Sequence, residues 1–145
     1  MASTLMKWKG AGDLIVAGIL TLKPSLMYAS VVTRTLASWT GLHLSSAEVA
    51  PGFNQSIACL VAAVGVGHVV AASSGPAARP AIFAMNLTWA VLGFMTCLTP
   101  LEWGLGSATL LMSSLNHASF SLALYLLDGE VIRGKGVDGP RKKGL

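Results

Sequence analysis

The sequence predicts an all-α fold: an integral membrane bundle of four transmembrane helices, with a short interfacial helix after the first. Three observations predict it. Charged residues make up only 11% of the 145 residues and hydrophobic ones 53%, whereas ordinary soluble domains carry about 25% charged residues. Mean hydropathy is +0.65, so polar side chains are too few to cover a water-soluble globule, and lipid must cover part of the surface. Long apolar runs are also broken by proline-containing turns at Lys23-Pro24, Ser74-Gly75-Pro76 and Thr99-Pro100, where the ring removes a helix hydrogen bond.

The first span is expected over residues 5–22. About 18 residues at about 1.5 Å each reach roughly 27 Å, just enough to cross. Lys7 and Lys9 precede its apolar run, and Asp13 lies inside it. A cleaved signal peptide would need small residues where Lys23-Pro24 stands, so the segment reads as a retained span. Residues 25–39 are less apolar. Leu26, Val32, Leu36 and Trp39 can share one helical face, which predicts a short amphipathic helix at the interface. The competing reading is an extension of span one through a proline kink. Residues 41–52 read as a loop.

Span two is expected over residues 53–73, span three over 77–98 and span four over 103–127. Residues 1–127 then form one transmembrane domain. Residues 128–145 read as a basic, disordered tail, being Gly-rich and charged. Seven of the ten Lys and Arg residues lie at the two ends of the chain. Positive loops stay inside, so both termini are expected in the cytoplasm, and four spans satisfy that parity. The endoplasmic reticulum is the expected membrane.

Several function classes drop out. The net charge of +4 forms no basic stripe, so nucleic acid is not an expected partner. Cys59 and Cys97 lie in apolar runs and imply no disulfide framework. No Cys/His metal pattern, nucleophile elbow, P-loop or dinucleotide fingerprint is present, so neither metal nor cofactor is expected. Any catalysis must rest on acid and base groups of the chain.

An ionisable group within a span costs about 2.5–3.5 kcal/mol on insertion scales, so each needs a reason. The candidates are Asp13, His68, His117 and Glu102. Helical spacing sets one polar group on a small-residue face of each span: Gly10, Asp13 and Ala17; Gly65, His68 and Ala72; Asn86, Ala90 and Gly93; Ser114, His117 and Ser121. Small faces let helices approach, and the polar groups can bond across them. By depth, Asp13, His68, Asn86 and His117 are expected to converge. Asn54, Gln55 and Glu102 fall near the opposite mouth. Asp13 is expected to act as general base, with His117 or His68 as proton donor. Asn54, Gln55, Asn86, Asn116 and Trp89 are expected to bind or orient a lipophilic substrate. Against this stand plainer roles. Asp13 and a histidine can simply satisfy each other, Glu102 can complement a helix dipole, and Asn54 can cap span two.

The segments Trp8-Lys9-Gly10-Ala11-Gly12-Asp13-Leu14, Lys23-Pro24-Ser25-Leu26, PGFNQSIACLVA from Pro51, GHVVAA from Gly67 and MNLTWA from Met85 resemble a group of small four-span fungal membrane proteins. Some of these are encoded beside polyketide synthases. The group includes the hydrolases of aurovertin- and citreoviridin-type pathways, which open polyene epoxides. The resemblance covers about residues 7–127 and also extends to DoxX-like four-helix families. It implies a cofactor-independent hydrolase or cyclase acting on a lipophilic (poly)epoxide in secondary-metabolite biosynthesis. It carries no residue roles over. The alternative is a non-catalytic accessory subunit of a larger membrane complex. That alternative rests on the small size and the small-residue faces. A homo-oligomer is a further candidate partner, and a small transporter is disfavoured by four short spans without an inverted repeat.

Overall fold

A computed structural model describes residues 1–134. They form six α-helices, α1 (Ala2–Leu22), α2 (Ser25–Tyr28), α3 (Val31–Thr40), α4 (Pro51–Ser73), α5 (Arg79–Cys97) and α6 (Ala108–Ile132), with 3-10 turns at Pro76–Ala78 and Leu101–Trp103. Three stretches are long and apolar enough to cross a bilayer: Pro51–Ser73, Pro76–Cys97 and Ala108–Ile132. α1 is of similar length, at 21 residues, but Lys7, Lys9 and Asp13 make it more polar.

Burial departs from that of a water-soluble protein on both sides of its surface. Asp13, Asn54, His68, Asn86, Ser114 and Ser121 are buried, while Ile15, Leu92, Met95, Leu122 and Leu126 stand outward. Exposed side chains of that size in such numbers suit a hydrocarbon environment.

Four long helices run alternately up and down, with two tightly packed antiparallel pairs. In the first, α1 meets α4 at Gly10 and Gly65. A Cβ on Gly10 would lie 2.6 Å from Gly65 O and 2.7 Å from Val69 Cγ2, so only a missing side chain permits this approach. In the second, α5 meets α6 at Gly93, against the Ser114 side chain. Where the chain ends of α1 and α6 meet, Ala2, Met6, Ala72, Ile82, Phe120 and Leu124 form one apolar cluster drawn from all four helices.

Gly10→Val is therefore expected to cost about 1–3 kcal/mol or more through overpacking. Gly12→Ala, where an added Cβ meets nothing within 4 Å, should be neutral or gain from helix propensity. Thermal unfolding in mild detergent separates the two, and equal midpoints would refute the close approach.

Several boundaries differ from the sequence expectation. The segment after Pro24 is neither one helix nor a simple kink. α2 is a single turn, and Ser30 then starts α3 afresh, its Oγ accepting from Thr33 N. Trp103 and Glu102 lie in an exposed 3-10 turn, so α6 starts later, at the cap Ser107, whose Oγ accepts from Leu110 N. α6 also continues past residue 127 to Ile132, leaving helical angles only at Asp128. That carboxylate pairs with Arg79 at the start of α5, which explains why the chain stays ordered there. Arg141, Lys142 and Lys143 of the expected tail lie outside the described residues.

Candidate functional site

Just inward of the apolar cluster, polar side chains from all four long helices meet, and three of them are joined by hydrogen bonds. Asp13 and His68 come from the α1–α4 pair, and Asn86 and His117 from the α5–α6 pair. The close Gly10–Gly65 contact brings them together. On α1, Asp13 is one turn beyond Gly10; on α4, His68 is one turn beyond Gly65.

The donors and acceptors can be assigned in order. His68 Nδ1 lies 2.9 Å from Val64 O, so it carries the hydrogen. Asp13 Oδ2 is 3.3 Å from the same nitrogen, but the N–H is taken by the carbonyl and this oxygen has no hydrogen-bond partner. His68 Nε2 must then be a bare acceptor, and Asn86 Nδ2 donates to it at 2.8 Å. Asn86 Nδ2 also donates to Ile82 O at 2.8 Å. That carbonyl fixes the amide, since a flipped group would set two oxygens face to face. Asn86 Oδ1 consequently accepts from His117 Nδ1 at 2.6 Å.

The consequence falls on His117. With its hydrogen held on Nδ1, neutral His117 carries its lone pair on Nε2. No hydrogen bond engages that nitrogen among the described residues, and it is not among the buried unsatisfied atoms. The ring is steadied by Trp89, 5.4 Å away between centroids, which donates from Nε1 to Ser113 Oγ at 3.0 Å. His68 and Asn86 are wholly buried, and the His68 ring packs edge-on to Phe120 at 5.3 Å. An amide does not pass protons as an imidazole does. The chain therefore orients its two histidines and does not wire them together.

Lys9 completes the cluster, and the sequence reading missed it. By sequence it is a flanking charge before the first apolar run. Instead it lies on α1 one turn before Asp13, bonds to Asp13 Oδ1 and keeps only 7% of its side chain exposed. The four-residue Lys-to-Asp spacing was the available signal.

The other candidates lie elsewhere. Asn54 is buried at the opposite end and is no cap. Its Nδ2 donates to Leu20 O at 2.9 Å, and its Oδ1 accepts from Tyr28 OH at 2.6 Å. It ties the end of α1 to α4 and α2, where burial pushes the Tyr28 phenol up. Gln55 and Glu102 are exposed, with no bond to the buried chain. Asn116 is exposed on α6, beside a groove against α1.

These features define a class: a helical bundle with membrane-length apolar helices and an imidazole–amide–imidazole chain between them, buried at His68 and Asn86 and partly open at His117. No protein-family model matches the chain, and neither a curated protein nor a solved structure matches it.

Proposed function

We propose that the protein is an integral membrane hydrolase or cyclase that opens a lipophilic epoxide by acid/base catalysis, with His117 as the reacting group. The observation that carries this is the free Nε2 of a histidine whose other nitrogen is held by Asn86. His117 Nε2 takes the proton of a water or substrate hydroxyl as that oxygen attacks an epoxide carbon. The epoxide C–O bond breaks, and the resulting alkoxide takes a proton back from the imidazolium. Water gives a diol; an internal hydroxyl gives a cyclic ether. Asp13 acts through its neighbours, beside His68 and Lys9, rather than as the base. A polyene partitions into lipid, so a bilayer site meets it at high local concentration.

In this reading α1 is the fourth crossing. Its 21 residues reach about 31 Å at about 1.5 Å each, and two of its three charges neutralise each other inside the bundle. α3 lies at the far interface, and both termini face the cytoplasm. The small-residue faces that suggested an accessory subunit are occupied within the bundle by Gly10, Gly65 and Gly93.

Incubating membranes that carry the protein with a polyene epoxide tests the chemistry. Diol or cyclic ether above the level of empty membranes is expected, and its absence defeats the reading. Topology is checked separately in a background free of Cys59 and Cys97. Cysteines at Ser3 and Glu130 should label from one side and a cysteine at Thr40 from the other. Labelling of Ser3 and Thr40 from one side, with Glu130 from the other, would remove the fourth crossing.

A further inference from the structure

We infer that the groove between α1 and α6 binds a long-chain neutral ligand whose oxygen accepts a hydrogen bond from the Lys9 ammonium. The groove is shallow and open, with a volume of about 300 Å³, and is lined chiefly by Leu5, Trp8, Lys9, Asn116, Ser119 and Phe120. Trp8, Asn116 and Ser119 stand at its exposed rim, so it opens sideways from the bundle.

Lys9 supplies the reason to expect a ligand there. Its side chain is 7% exposed, and an ammonium has three N–H donors. One goes to Asp13. No other acceptor engages Lys9 among the described residues. The Phe120 ring, 5.9 Å from Nζ, attracts the charge but leaves the other donors without a lone pair. A buried donor without an acceptor is costly, and the groove is the open volume beside it.

The same pair selects the ligand's charge. Lys9 and Asp13 together are neutral, so a second carboxylate would sit near the Asp13 charge without a cation of its own. A neutral acceptor (an epoxide, a ketone or an alcohol) carries no such penalty. The apolar walls take a hydrocarbon chain, and the sideways opening admits it from lipid. The inference builds on the proposed chemistry for the ligand's fate but not for its binding.

Full-length protein in lipid nanodiscs is photolabelled with a long-chain epoxide bearing a terminal diazirine. A hydrocarbon of equal length with the same diazirine is the comparison, and labelled peptides are mapped by mass spectrometry. Epoxide labelling is expected on the segments around Leu5–Trp8 and Asn116–Ala123, exceeding that of the hydrocarbon. Ser119→Trp fills the rim without touching the Lys9–Asp13 pair and should abolish it. The paired change Lys9→Met with Asp13→Asn removes the donor without leaving a lone buried charge, and should weaken labelling about tenfold or more. Equal labelling by the hydrocarbon, labelling on other helices, or labelling unchanged in both variants overturns the inference. Groove labelling without turnover sustains it while defeating the proposed catalysis. Turnover without groove labelling does the reverse.

Discussion

Replacing His117 by alanine is expected to lower turnover of a lipophilic epoxide by about 100- to 10,000-fold, the usual span for a general base. The expectation follows from the hydrogen-bond assignment. Ile82 O fixes the Asn86 amide, the amide fixes the His117 tautomer, and the tautomer leaves Nε2 free. A structural role would also lower activity by loosening the bundle, so the measurement needs two controls. The first is unfolding: losing one donor to Asn86 Oδ1 costs about 1–3 kcal/mol, too little to empty the folded state under assay conditions. The second is kinetic. Loss of the base should fall on kcat with KM little changed, and the acid limb of the pH–rate profile should vanish. Near-wild-type kcat in folded His117→Ala would remove His117 from the chemistry. Asn86→Leu is the companion variant. It releases both imidazoles and should cost turnover and stability together.

Asp13→Ala should be the most damaging single change to stability. Lys9 and Asp13 keep only 7% and 10% of their side chains exposed, so the variant strands an ammonium inside the bundle. Breaking one partner of a buried pair costs about 3–5 kcal/mol, whereas replacing both by apolar groups is often neutral. Lys9→Met combined with Asp13→Leu should therefore recover most of the loss. Denaturant titration in detergent measures the cycle. Additive losses in the double variant would show that the two charges are not compensating each other. The same experiment bears on the fourth crossing, because a pair that neutralises itself is what lets so polar a helix lie against α4.

Much of the architecture could be read from the residue order. Apolar runs cut by prolines place α4 and α5 to within two residues and α6 to within five at each end, because a span needs length and hydrophobicity and both are local properties. The spacing of Asp13, His68, Asn86 and His117 relative to Gly10, Gly65 and Gly93 was legible for a similar reason, since helical period converts sequence steps into faces. Helix ends were less legible. Trp103 is apolar enough to join a span, yet the turn at Leu101–Trp103 ends at Gly104 in the left-handed region (φ 62°). α6 outlasts its apolar run because Asp128 finds Arg79, a partner 49 residues away that no local pattern reveals.

That the chain is all-helical with membrane-length apolar helices follows from composition and period, and these also say which side chains face inward. They are silent on which inward group bonds to which. Lys9 is the clearest instance. Along the chain it is a basic residue before an apolar run, like Lys7; in three dimensions it bonds to Asp13 and lies over the Phe120 ring of α6, with 7% of its side chain exposed. Asp13 likewise reads as a lone carboxylate along the chain, whereas in the fold Lys9 bonds its Oδ1. Helical period follows from backbone geometry that every residue shares, whereas the bond from His117 to Asn86 joins residues 31 positions apart and forms only because α6 packs against α5.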